Sequence, residues 1–344
     1  MELFVFGGAK GVGESILAKL DDSTYGIIDS FIDRKTGNPR VLDYLNKKSI
    51  PLTSIKFIVL THCHHDHFTG LAKLVELCTN ATFYVSKAIG IKSFHVLISA
   101  YSRKVTSKHN YFKEILDTFA ELKKTNRKAK MLTDVSKPIL THNGIRIQSF
   151  SPNVDTEKFL TPLYKRETAK FLKGSGIKLL TNGYNYQSVV ISIESDSYKI
   201  LLGADQEFHR TISTIGWEAI SNLNHFKTNK FDLFKVPHHG SDTGFDSTFW
   251  SRILKKESIL SLTPYSRSGL PNAKMINTVK SFGASYLTSN PSAKVYKKLP
   301  GRIGKKTKHL EIKRLATRKA GIIHNKYFTG KGFSVNLVPD AVQL

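Results

Sequence analysis

Thr61-His62-Cys63-His64-His65-Asp66-His67-Phe68-Thr69-Gly70 places four imidazoles and a carboxylate in six consecutive positions, directly after an apolar run. Imidazole nitrogen and carboxylate oxygen are the donors that divalent zinc takes, and manganese accepts the same pair. Alternation along the chain lets His62 and His64 point to one metal while Asp66 and His67 turn to another. His65 then points away from the set. Two later segments end in the same chemistry. Ile200-Leu201-Leu202-Gly203-Ala204-Asp205 is an apolar strand followed by a small-residue turn and a carboxylate. Leu233-Phe234-Lys235-Val236-Pro237-His238-His239-Gly240-Ser241 is a strand ending in paired histidines; one of the two would be a ligand, and His238, nearer the strand, is favoured. Tyr25-Gly26-Ile27-Ile28-Asp29 ends in an acid better placed to hold a ligating imidazole than to touch metal. The expected chemistry is metal-assisted hydrolysis. Zinc lowers the pKa of its bound water to about 7, so a hydroxide nucleophile exists at neutral pH. Asp66 and Asp205 would hold or accept its proton, with Lys235 and Ser241 as candidate contacts to a substrate oxygen.

In this order, Asp29, His62-x-His64-x-Asp66-His67, Asp205 and His238-His239 resemble the metallo-β-lactamase superfamily. Gly11-Val12-Gly13-Glu14-Ser15, Asn185-Tyr186-Gln187-Ser188, Leu202-Gly203-Ala204-Asp205 and Lys235-Val236-Pro237-His238-His239-Gly240-Ser241 look more narrowly like the metallo-β-lactamase domain of the ComEC competence DNA-uptake proteins. The resemblance covers roughly residues 1–90 and 140–285. It implies a four-layer αββα sandwich with metals at one edge of the sheets, and hydrolysis of phosphodiesters, esters or lactones. Asn185 stands where many superfamily members carry a ligating histidine. It would give a weak ligand or an outer partner. Leu270-Pro271 stands where a His-Pro pair is common.

The elements that must position these residues are legible around them. Short apolar strands are expected at Phe4–Phe6, Ser15–Ala18, Tyr25–Ile28, Ile55–Leu60, Ile145–Phe150, Ser188–Ile193, Lys199–Leu202 and Leu233–Val236. Val41, Leu42 and Leu45 have helical spacing, as do Phe112, Ile115, Leu116, Phe119 and Leu122; Leu71–Leu77 reads as a helix leaving the histidine loop. The glycines of Gly7–Gly13 match neither GxxxxGK[ST] nor GxGxxG and are expected to be turn residues. One hydrolase domain over 1–290 is expected, with a basic helical insertion at about 86–135, followed by a basic C-terminal extension over 291–344.

Charge sets the class of partner. The 344 residues hold 52 Lys and Arg against 27 Asp and Glu, a net charge of +25. Such a field attracts polyanions, nucleic acid first. The expected function is therefore a nuclease or phosphodiesterase; the alternative is a small-molecule ester or lactone hydrolase. No run of about 18 apolar residues suggests a membrane span. Two cysteines without a CxxC fit a reducing, cytoplasmic setting.

Overall fold

The computed structural model describes residues 1–9, 11–105, 112–174, 181–289, 321–338 and 341–344. The first half runs β1 (Glu2–Gly7), β2 (Glu14–Lys19), β3 (Tyr25–Ile28), α1 (Arg40–Lys47), β4 (Ile55–Leu60), α2 (His65–Phe68), α3 (Leu71–Leu77), β5 (Thr82–Ser86), α4 (Lys92–Lys104), α5 (Lys113–Lys124) and β6 (Lys130–Leu132). The second runs β7 (Leu140–His142), β8 (Ile145–Ser149), α6 (Val154–Leu172), α7 (Thr181–Tyr184), β9 (Ile191–Glu194), β10 (Lys199–Leu202), α8 (Gly216–Asn222), α9 (Asn224–Thr228), β11 (Phe231–Lys235), α10 (Ser247–Ile253), β12 (Leu254–Leu262), α11 (Ala273–Phe282) and β13 (Ala284–Leu287). β14 (Ile322–Phe328), β15 (Gly332–Val338) and β16 (Val342–Gln343) close the chain.

Two eight-stranded mixed sheets result, ordered β15-β14-β1-β2-β3-β4-β5-β6 and β16-β13-β12-β11-β10-β9-β8-β7. Each contains a parallel run, β3 to β6 and β10 to β13. Parallel neighbours need a crossover, and helices make it. Alternation shows how the layers stack. Leu3 and Val5 of β1 face the second sheet, while Phe4 and Phe6 face helices. On β10, Ile200 and Leu202 join the inter-sheet core, and Leu201 joins the other helix layer. The architecture is the αββα sandwich.

Between β1 and β2, Gly8 N–H bonds Gly13 O at 3.1 Å, so the glycine run closes a hairpin. Gly13 has φ +113°, and the Phe31 ring occupies the space a Cβ would need. This explains glycine directly before Glu14.

Within 86–135, α4 and α5 form the β5-to-β6 crossover, and Lys130–Leu132 is the strand β6 itself. Phe94, Leu97, Ile98, Ile115 and Leu122 are buried in the first helix layer. Residues 106–111, with Lys108, lie outside the described residues. So does the basic block Lys294–Lys319. The described part of 291–344 adds strands to both sheets: β14 pairs antiparallel with β1, and β16 with β13. Among the described residues, no helix is long and apolar enough to cross a membrane.

Candidate metal centre

The chemistry-bearing residues collect where the parallel strands end at their carboxyl termini, the usual binding edge of open α/β sheets. Asp29 follows β3, Thr61 and His62 follow β4, Asp205 follows β10, His238 and His239 follow β11, and Thr263 follows β12. The tight exits leave strained backbone. Asp29, Ala204, His238 and His239 all have positive φ, at 60°, 46°, 46° and 53°. Non-glycine residues hold such angles only when their surroundings over-determine them. α2 carries Asp66 and His67 inward, anchored by Ser30 N–H bonding His67 O at 2.8 Å.

Asp205 lies at the centre. Its Oδ2 is 3.4 Å from His62 Nε2, 3.6 Å from His239 Nε2 and 3.9 Å from His64 Nδ1, and its Oδ1 is 3.4 Å from His67 Nε2. Asp66 Oδ2 is 3.1 Å from His239 Nε2 and 3.8 Å from His67 Nε2. His62 Nε2 and His64 Nδ1 are 3.2 Å apart. Of the paired histidines, it is His239 that faces Asp66 and Asp205, not the favoured His238. His238 swings outward: its Nδ1 is 2.7 Å from Glu207 Oε1 and 3.1 Å from Thr243 Oγ1, and its Nε2 is 3.2 Å from Asn185 Nδ2.

Outer partners aim the imidazoles. His239 Nδ1 donates to Thr263 O at 2.8 Å, and His67 Nδ1 to Asp29 Oδ2 at 2.8 Å. Thr61 Oγ1 donates to Asp29 Oδ2 at 2.7 Å, so it accepts from His62 Nδ1 at 3.0 Å. Each Nδ1 is thereby engaged, and each Nε2 turns toward the carboxylates. Asp29 thus sits behind two imidazoles. Glu14 comes within ligand reach of His67 and His239, yet its Oε2 already takes Lys235 Nζ at 2.8 Å and the Thr263 hydroxyl.

This arrangement fits a cation. Asp66 Oδ2, His67 Nε2 and Asp205 Oδ1 are buried and have no hydrogen-bond partner. Orphaned polar atoms converging in a buried site are costly unless something positive holds them. His62, His64 and Asp205 bring one ligand atom each within 4.8 Å of one another. A set of nitrogen and carboxylate donors suits zinc or manganese. Burial opposes charge on His67 and His239, but the Asp205 and Asp66 carboxylates outweigh it and raise both above the ordinary imidazole range. His62, dominated by burial and next by the charge on His67, is pushed down to about 3. Asp205 is held well below the carboxylate range: burial resists, and His239 and His67 prevail.

The cluster opens on a cleft of about 1040 Å³. Ser241 lines it, but its Oγ accepts from Thr243 N–H at 3.3 Å and so also closes a turn. Lys235 is fully buried, paired with Glu14 and donating to Val236 O at 2.9 Å. It therefore cannot touch substrate: β11 turns it between the sheets. Asn185 donates to Glu207 Oε1 at 2.9 Å beside His238. His65 is exposed at the rim, outside the cluster. Glu14, Thr61, Glu207 and Thr263 were not singled out by sequence reading. Glu14 stood within the Gly11–Ser15 segment, and Glu207 two positions after Asp205; Thr61 and Thr263 carry no type signal.

No curated protein sequence matches the chain. Among solved structures it is similar to the metallo-beta-lactamase fold protein YhfI from Bacillus subtilis, at 13% identity and TM-score 0.43, over 84% of this chain and 97% of that one. Zn(2+)-bound PqqB from Methylobacterium extorquens gives 11% identity and TM-score 0.43 over 85% and 98%. Human tRNase Z, short form, gives 12% and 0.40 over 76% and 92%. The family model of the metallo-beta-lactamase superfamily matches residues 11–262, most of the chain, and the protein belongs to that superfamily of metal-binding hydrolases.

Proposed function

We propose that the protein is a metal-dependent phosphodiesterase that cleaves nucleic acid. The observation that carries this reading is the His/Asp cluster opening on a cleft lined by Arg166 and Arg267, in a chain of net charge +25. The likeness of Lys235–Ser241 and its companion segments to DNA-uptake proteins supports it. In this reading His62, His64, Asp66, His67, Asp205 and His239 would hold the cation. A divalent cation there would supply Lewis acidity and a water deprotonated near neutral pH. Asp29, Thr61 and Thr263 keep the imidazoles aimed. Asp66 and Asp205 would orient the attacking water by accepting its hydrogen bonds. The two guanidiniums bind phosphate oxygens, for which their planar fork is suited. Cys63 and Cys78 are buried and are not joined in a disulfide, which supports a cytoplasmic setting.

The test is incubation of the metal-loaded protein with end-labelled DNA and RNA, with and without chelator. Cleavage lost on chelation and in Asp66→Ala is the expected result. A second reading, ester or lactone hydrolysis, is favoured by the apolar part of the cleft wall, including Leu163 and Leu270. Turnover of p-nitrophenyl esters or lactones with no cleavage of any polynucleotide would select it.

A further inference from the structure

α6 presents two different faces. Leu160, Tyr164 and Phe171 are buried in the first helix layer. Phe159, Leu163 and Arg166, spaced i, i+4 and i+7, form a stripe along the cleft that holds the metal cluster. Phe159 is only half-buried and does not stand alone. Its ring centroid is 5.5 Å from Tyr186 and 5.2 Å from His209, both edge-on, and Tyr186 and His209 are 5.4 Å apart. All three rings line the cleft. The His209 ring is fixed from outside, since its Nδ1 accepts from Ile212 N–H at 3.1 Å. One wall therefore carries a fixed aromatic group at one end and a guanidinium about 10 Å further along the helix.

We infer that this wall is a nucleobase platform, and that the substrate is a single strand whose unpaired base stacks on the Phe159, Tyr186 and His209 group while Arg166 holds its backbone. The inference rests on the phosphodiesterase reading and narrows its substrate. An ester or lactone pocket needs apolar area but has no use for a cation in line with it. A backbone-binding groove needs cations but has no use for aromatic rings. A single strand uses both: its bases stack on aromatic faces with little sequence preference while its phosphates meet positive groups. A duplex keeps its bases paired and stacked, out of reach of a ring wall.

The experiment is single-turnover cleavage by the metal-loaded full chain. The substrates are a labelled oligo-dT, the same oligomer with abasic residues in place of its bases, and a duplex of equal length. Oligo-dT is expected to be the best substrate. Phe159→Ala should raise the concentration for half-maximal rate on oligo-dT by about 5-fold to 150-fold, the range for one lost stack. Phe159→Trp should restore it, with metal content unchanged in both. On the abasic strand, wild type and Phe159→Ala should perform alike. If Phe159→Ala does not fold, Phe159→Leu keeps apolar volume, removes the ring and should give the same shift. Equal use of duplex and single strand, or a Phe159→Leu protein indistinguishable from wild type on oligo-dT, overturns the platform and leaves the phosphodiesterase reading standing. Absence of cleavage on every polynucleotide overturns both.

Discussion

His238 and His239 are neighbours with different tasks. Both sit at positive φ, which turns their side chains apart, His239 toward Asp66 and Asp205 and His238 toward Glu207. His239→Ala is expected to lower metal affinity by more than the roughly 10–100-fold that loss of an outer partner costs. His238→Ala should leave metal content near wild type. Elemental analysis after dialysis against a weak chelator checks this, and equal losses in both variants would reverse the assignment. Behind His239 lies a buried ion pair joining the two sheets, Glu14 on β2 with Lys235 on β11. Lys235→Met alone strands the Glu14 carboxylate in a dry interior and should cost about 3–5 kcal/mol in urea unfolding. Glu14→Leu combined with Lys235→Met should recover most of that loss, because an apolar pair replaces an uncompensated charge. Additive losses in the double variant would show that the two residues do not act as a pair.

β14, in the described stretch 321–338, pairs with the chain's first strand. His324 Nε2 is 2.6 Å from Glu2 Oε2, and its ring stacks on Phe4 with centroids 4.1 Å apart. Burial would raise the Glu2 carboxyl, but the hydrogen bond from His324 and the charge of Lys19 lower it below 4.5. Its contribution to docking is present above that value and lost as pH falls through the folded pKa. Burial holds His324 below 6.5, so the unfolded chain takes up that proton first, and stability also drops as pH falls below 6.5. Both signs agree: β14 should loosen on acidification from pH 7 to pH 4. Amide hydrogen exchange in β14, after correction for intrinsic rates, should lose protection over that interval; flat or rising protection would exclude the coupling. Elements of this kind differ in how far the sequence shows them. Leu71–Leu77 is a helix over the expected span, and the strands at 55–60 and 199–202 fall where their apolar runs predict. In each, one local period decides the outcome. β14 and β16 were not anticipated, because their sheet partners, β1 and β13, lie far away or across a long basic stretch. At the site, residue type exposed His62, His64, Asp66, His67 and Asp205. It favoured His238 over His239, whereas backbone angles turn His239 to the carboxylates, and it did not reveal that Lys235 is buried, which depends on Glu14 facing it from the other sheet.

On the scale of the whole molecule, charge is the property that no single element explains. An excess of 25 positive charges is far more than solubility requires of one chain. Many of these cations, the block Lys294–Lys319 among them, belong to segments outside the described residues. Others, such as Lys123, Lys124 and Arg166, are exposed on the helices of the first layer. If they serve a polyanion, binding must release condensed counterions, and affinity must fall with salt in proportion to the phosphates neutralised. About six contacts on a single strand would give a slope near −4 in log affinity against log salt and a loss of roughly 300-fold between 50 and 200 mM. Neutralising Lys305, Lys306 and Lys308 together should reduce the magnitude of that slope by about 2, at about 0.7 per contact, with little change in base preference. Metal content should not change, since none of the clustered His and Asp residues is altered. A titration by fluorescence anisotropy at five salt concentrations reads both slopes. If the triple variant keeps the wild-type slope, the block is not part of the nucleic-acid surface. If the wild type shows no salt dependence, its charge does not serve a polyanion, and ester or lactone hydrolysis becomes the better account of the centre.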